Sequence, residues 1–409
     1  MVNFIHRKLD NGLEIAVELN EHAYSLAVGF FVRAGARDET AALAGVSHFL
    51  EHMLFKGTDR RSADQVNREL DDMGGYANAF TSDEMTCYYA VVLPELQEHI
   101  VDLLGDIMRP ALRQSDFDIE KKVIIEEINM YADQPPFGID DQCRQLFFGE
   151  HPLGHSVLGT AESVGNLTSG QMREYFLQRY SSNNIVVVAT GRVDVDALVR
   201  QLEKITKEWK PSDNVRVPVQ VVSSRGKHIK VRESATQEYV FQLCDAPGIF
   251  SSARYSAAML ACIIGDDVGS RMFWALLDSG KADVAGMFYA DCFDAGFFAS
   301  VLHCDPERVS ENLGLMQSIL DQVQANGVEE DELSRAKNKL ISRCVLGGEN
   351  SRGRLFPIGD KWLQCRKYYS VQDDVDGLKQ VTCADIRLVL DATPVDKTLL
   401  VAIGPLADF

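Results

Sequence analysis

No Cys-x-x-Cys pair occurs in the 409 residues, and the nine cysteines (Cys87, Cys143, Cys244, Cys262, Cys292, Cys304, Cys344, Cys365 and Cys383) are odd in number and scattered. That excludes the usual thiolate zinc and redox motifs and leaves free thiols of a reducing compartment. Long apolar runs are also missing: nothing approaches the roughly 18 residues of a membrane span. After Met1 the chain runs through Arg7-Lys8-Leu9-Asp10-Asn11-Gly12 into Leu13-Glu14-Ile15-Ala16-Val17, a turn and a strand where a signal peptide would need unbroken apolar sequence. The expectation is a cytoplasmic chain with no membrane partner. Proline is sparse at 12, and 46% hydrophobic with 25% charged residues excludes collagen-like or disordered character. Basic residues are in deficit, 41 Lys+Arg against 60 Asp+Glu, for a formal charge of −19. Nucleic-acid partners, held by cations that displace counterions, are therefore not expected.

What is present reads as an α+β protein long enough for about two domains. In the first half, strand signals at Leu26–Val32, Cys87–Leu93 and Ile185–Ala189 alternate with helical periodicity at Leu43–Phe55, Ala63–Met73, Pro94–Met108 and Ser115–Tyr131, the last stopped by Pro135-Pro136. A polar stretch around Trp209-Lys210-Pro211 suits a linker, 209–229. The order then repeats, with strand Tyr239–Leu243, apolar helix Tyr255–Ile264, helices at Glu307–Ala325 and Asp331–Val345, and a closing strand Leu399–Gly404. Two α+β halves of similar plan are predicted, 1–208 and 230–409, each a mixed sheet packed with helices.

The strongest chemical signal is His48-Phe49-Leu50-Glu51-His52. Residues four apart share a helix face, so both imidazoles can address one ion while Glu51 sits beside it. With nine histidines in 409 residues, chance supplies this pattern only about 0.03 times per chain. It is two-thirds of a zinc site in the H-x-x-E-H order of the inverzincins, whose chemistry is metal-assisted hydrolysis with the acid as general base. His151 and His155 also stand four apart, but Pro152 and Gly154 disfavour a helix between them, and they read as loop residues. His99 reads as a surface residue.

The surrounding strings extend the match: Arg33-Ala34-Gly35-Ala36-Arg37-Asp38-Glu39, Met53-Leu54-Phe55-Lys56-Gly57-Thr58, Gly74-Gly75-Tyr76-Ala77-Asn78-Ala79-Phe80-Thr81, His151-Pro152-Leu153-Gly154 and Ala336-Lys337-Asn338-Lys339. Together they resemble the pitrilysin family of metallopeptidases over essentially the whole chain. The likeness is to the short-chain branch that contains the mitochondrial processing peptidase and bacterial zinc proteases like it. The resemblance implies α/β-roll halves that close like a clam around a chamber on dimerisation, and one Zn2+ per chain. It implies a third ligand, a Glu 75 residues past the second His and seven after another Glu, which here are Glu127 and Glu120. Seven residues is two turns, so both share a face, while Glu126 points about 100° away. Glu120 then supports the catalytic machinery, unless it is a solvated helix acid. The resemblance further implies peptide capture as an added strand on Asn78, Ala79, Phe80 and Thr81, although Phe80 could equally be core.

One departure stands out. Relatives carry an Arg and a Tyr seven residues apart in the second half to bind the substrate backbone, and here those positions are Leu277 and Val284. The chain is therefore expected to be the zinc-bearing half of a hetero-oligomer whose related partner supplies the pair. The alternatives are a self-sufficient homodimer and a non-catalytic structural subunit of a larger assembly.

Overall fold

The computed structural model describes residues 2–133, 136 and 138–409. The predicted stop at Pro135-Pro136 falls partly on Pro135, which lies outside the described residues.

The chain divides into two units, the first made of Met1–Asn129, His155–Val217 and Leu346–Ser370, the second of Met130–Gly154, Pro218–Val345 and Val371–Phe409. The expected cut at 209–229 differs from this partition. Trp209 is buried and Arg216 donates to Asp38 Oδ2 at 2.6 Å, so the start of the supposed linker is structure of the first unit, and its end runs into a strand of the second. Two further segments, 130–154 and 346–370, each leave their own half of the sequence for the other unit.

In the first unit six strands, β1 (Asn3–Lys8), β2 (Glu14–Leu19), β3 (Leu26–Val32), β4 (Tyr76–Thr81), β5 (Thr86–Val92) and β6 (Ile185–Gly191), form a sheet in the order β1-β2-β6-β3-β5-β4. Only β2 and β6 pair in parallel. β3 and β6 are central and buried at every position, which explains their unbroken apolar sequence, and β4 forms an edge. One face carries the main core together with helices α1 (Val46–Leu54), α2 (Ala63–Asp72), α3 (Gln97–Ile107) and α4 (Gln114–Asp133). The other is covered by the helix Ser351–Cys365, which lays Leu355, Ile358, Trp362 and Leu363 over Phe31, Val186 and Val188. Arg354 of that helix pairs with Glu18 of β2 through Nε–Oε1 at 2.8 Å and Nη2–Oε2 at 2.6 Å, a buried bidentate pair.

The second unit has β7 (Gly226–Val231), β8 (Glu238–Ala246), β9 (Val284–Asp291), β10 (Gly296–Cys304) and β11 (Leu399–Gly404) in the order β7-β11-β8-β10-β9, with β7 and β11 parallel. Strand for strand this is the order of the first sheet without β1, so the predicted repeat of plan appears as a repeat of topology. Helix α5 (Ile139–Phe148), from the first half of the sequence, packs Ile139, Cys143, Phe147 and Phe148 against Leu243, Phe297 and Val401 of this sheet. The exchange is reciprocal. α5 follows the long helix α4, and Ser351–Cys365 follows the long helix Glu330–Gly348.

Candidate metal centre

Helix α1 begins at Gly45, whose φ of 89° is the left-handed conformation that favours glycine. The buried Glu39 carboxylate accepts the Gly45 N–H at Oε2 and the Ser47 N–H at Oε1, both at 2.7 Å. It thus occupies two of the otherwise orphaned donors of the first turn. Burial pushes the Glu39 carboxyl up to about 8 against those two hydrogen bonds. Val46, Phe49, Leu50, Met53 and Leu54 bury the core-facing side of α1, and Phe49 stacks on Phe117 of α4 with ring centroids 4.7 Å apart. This stacking sets α1 against α4 and brings their polar faces together.

There the side chains of His48, His52 and Glu127 converge, each offering a ligand atom within 4.8 Å of the others. His48 Nε2 lies 3.9 Å from Glu127 Oε1, and His52 Nε2 lies 3.8 Å from Glu127 Oε2. These gaps are too long for hydrogen bonds, but three ligands held tetrahedrally at zinc-bond lengths stand about 3.4 Å apart. Glu126 is exposed, as the helical phase predicts, and Glu127 is the residue that turns inward. His52 Nδ1–H donates to Glu120 Oε1 at 2.9 Å, which fixes the tautomer that leaves Nε2 free to ligate. Glu120 is no solvated surface acid: it is buried, and its other oxygen accepts from Lys56 Nζ at 2.6 Å.

The electrostatics suit a cation. Burial, reinforced by neighbouring His52, pulls His48 down to about 4, which keeps it a neutral ligand, and its Nδ1 is buried with no hydrogen-bond partner among the described residues. Burial also acts to lower His52, but the Glu120 hydrogen bond and the charges of Glu51, Glu127 and Glu120 outweigh it and hold the ring above its ordinary value. Burial would raise Glu120, yet its bonds to His52 and Lys56 hold it below the usual carboxylate range. Glu51 is raised by burial, against the Thr81 hydroxyl that donates to its Oε2 at 2.6 Å. Three carboxylates thus face one ammonium, an excess that a divalent ion balances. The two-nitrogen, one-oxygen donor set fits zinc.

The other sequence candidates separate from this cluster. His99 is half exposed and contacts Glu69 at 3.1 Å. His151 is buried, with Nε2 3.2 Å from the Val219 carbonyl and 3.6 Å from Asp294 Oδ1, while His155 Nδ1 lies 3.1 Å from the Ala36 carbonyl. Asn78, Ala79, Phe80 and Thr81 all lie on the edge strand β4, and the Ala79 N–H is taken by the Asn78 side chain at 2.8 Å. Phe80 is half-buried between β4 and the outer helix, 5.8 Å from Phe356. Leu277 packs on the second unit's core and Val284 opens β9. Two contributors to the site went unassigned in the sequence: Glu39 and Lys56. Lys56 stands in the turn that follows α1, 64 residues before the Glu120 it pairs with.

Two imidazoles four apart on one helix, an acid between them and a carboxylate from a second helix form a group able to hold a metal ion, in the H-x-x-E-H order. Residues 14–161 match the family described as insulinase (peptidase family M16), and residues 166–340 match the description peptidase M16 inactive domain. The chain is 33% identical over 391 residues to an "uncharacterized zinc protease" of Mycobacterium bovis, covering 93% of this chain and 88% of that protein. It is 32% identical over 411 residues to one of Streptomyces coelicolor, covering 98% and 89%. A solved structure, a protease from Helicobacter pylori, superposes with a TM-score of 0.92 at 18% identity over 99% of this chain and all of that one. The chain belongs to the insulinase family, peptidase family M16. Its H-x-x-E-H segment falls within the first matched region, and the region called inactive carries no second copy.

Proposed function

We propose that this chain is a zinc-dependent endopeptidase acting on extended peptides or unfolded segments. The observation that carries the reading is the convergence of His48, His52 and Glu127 beside Glu51, which is itself tied to the sheet edge through Thr81. A zinc ion held by the three side chains supplies Lewis-acid polarisation of a carbonyl and makes water acidic enough to attack near neutrality. Glu51 takes the proton of the attacking water at its carboxylate and delivers it to the leaving nitrogen. Thr81 orients that carboxylate, and Glu120, braced by Lys56, keeps the His52 ring in place. Strand β4 receives the peptide backbone as an added strand, whose carbonyl takes over the Ala79 N–H that Asn78 now covers.

With Leu277 and Val284 where relatives place Arg and Tyr, the chain acts as the catalytic member of a two-subunit peptidase, and a related partner supplies that pair. Nine free cysteines fit a reducing, cytoplasmic setting. Among the described residues no helix is long and apolar enough to cross a membrane. The test is zinc stoichiometry together with hydrolysis of a quenched extended peptide by the purified chain and by Glu51→Gln. One zinc per chain with Glu51-dependent turnover supports a self-sufficient enzyme, and zinc with turnover only after a partner is added supports the two-subunit form. A chain that binds no zinc overturns the reading.

A further inference from the structure

The edge strand β4 presents two chemically different faces. Ala77 and Ala79 pack towards the core that α1 shares, and Thr81 on the same face reaches Glu51. Tyr76, Asn78 and Phe80 alternate to the opposite face, where the helix Ser351–Cys365 begins. At one end of this face Phe80 leans on Phe356. At the other, the Arg352 guanidinium lies 4.3 Å from the Tyr76 ring centroid and 5.8 Å from that of Tyr89.

Arg352 differs from the arginines around it. Arg354, two residues on, is buried and clamped to Glu18, whereas Arg352 is exposed and has no carboxylate partner among the described residues. Its polar neighbours are the Tyr89 hydroxyl at 3.3 Å and the Tyr76 hydroxyl at 3.5 Å. Two aromatic rings therefore hold a planar, always-charged fork at the end of an open strand edge, with its charge unanswered.

We propose that Arg352, seated on Tyr76, determines specificity by selecting an acidic side chain in the bound peptide, four residues along from the side chain that rests on Phe80. The proposal rests on β4 being the docking edge. A peptide added to β4 alternates in step with it, so its side chains on this face stand opposite Phe80, Asn78 and Tyr76 in turn. Phe80 and Tyr76 are four residues apart, about 13 Å along a strand, and that spacing holds whichever way the peptide runs. An apolar side chain is matched at the first position and a carboxylate at the last. The preference is local and stands beside the protein's overall negative charge, which by itself would favour basic peptides.

The test uses a peptide with one fixed apolar residue and Asp, Asn or Lys placed in turn at every other position. Binding is measured by fluorescence anisotropy to the Glu51→Gln chain, and turnover is measured with the unmodified chain. Binding is expected to tighten about three- to fivefold for Asp over Asn at a position four residues from the apolar one, and the gain should shrink in high salt. In kinetics it should appear in KM with kcat little changed. Arg352→Glu should transfer the preference to Lys, and Arg352→Lys should retain it for Asp in weakened form. Equal binding of all peptides, or an Asp preference that survives Arg352→Glu, overturns the proposal. Selective binding without any Glu51-dependent turnover, by the chain alone or with a related subunit carrying the Arg and Tyr added, upholds the subsite and overturns the peptidase reading instead, and failure to bind any peptide in either setting overturns both.

Discussion

The Thr81 hydroxyl donates to Glu51 Oε2 at 2.6 Å, joining the last residue of an open strand edge to the acid of the metal-binding helix. One side chain thus links the place where a peptide backbone would lie to the group that would handle the proton. Thr81→Val keeps the shape and removes the donor. Because a hydrogen bond to a charged group is worth about 1.5–3 kcal/mol, kcat should fall tenfold or more with KM nearly unchanged. Steady-state kinetics check this, and an unchanged melting temperature shows that the loss is local.

In the proposed mechanism Glu51 carries the proton and is not a zinc ligand. Glu51→Gln should keep zinc at the wild-type stoichiometry and lose at least about a hundredfold in kcat. Metal analysis beside single-turnover hydrolysis separates the two roles, and a variant that cleaves at the wild-type rate removes Glu51 from the mechanism.

Glu126 and Glu127 are adjacent, yet only Glu127 faces the histidines. Glu127→Ala should weaken zinc binding by orders of magnitude in chelator competition, while Glu126→Ala should leave it unchanged. Equal losses would mean that α4 is rotated in the metal-bound protein.

Glu39 predicts how stability depends on pH. Its carboxyl, raised from 4.5 to about 8 by burial, keeps its proton in the folded chain over a range where the unfolded chain has lost it. Its contribution to stability is therefore full below 4.5 and disappears as pH rises through about 8. Urea midpoints at pH 5.5 and pH 8.5 should drop further for the wild type than for Glu39→Gln, whose side chain cannot ionise. Parallel slopes for the two proteins would show that Glu39 is ionised throughout.

Gly359 should resist substitution despite lying in a helix. A methyl group there would come within 2.3 Å of the Phe31 ring on β3. Gly359→Ala in a helix interior would otherwise gain up to about 1 kcal/mol of propensity, but overpacking here should cost about 1–3 kcal/mol net, measurable by denaturant unfolding.

The sequence carried the site further than it carried the architecture. His48, Glu51 and His52 are legible because helical spacing turns four residues into one face, and the same phase argument separates Glu127 from Glu126. Strand Leu26–Val32 has the predicted limits because it is buried at every position. The helix Ser351–Cys365 was not legible. It holds Pro357 in its interior and three Arg or Lys residues, so neither periodicity nor composition marks it as the cover of a sheet. The exchange of α5 and Ser351–Cys365 was hidden for a different reason: hydrophobic periodicity states that a face must be buried but does not name the sheet that buries it. Glu39, Lys56 and Arg352 act through partners distant in sequence or across a turn, and single-residue signals do not reveal such pairs.

The reciprocal loan of helices makes the halves of this gene product inseparable. A fragment ending near residue 217 would keep all six strands of its sheet and the entire metal cluster. It would nevertheless expose Phe31, Val186 and Val188 to water, because the helix that covers them is encoded more than a hundred residues later. Such a fragment should aggregate unless a peptide spanning 346–370 is supplied in trans, which would make that peptide a solubilising complement. Neither half could therefore be shuffled, fused or inherited as an independent cassette without its borrowed helix.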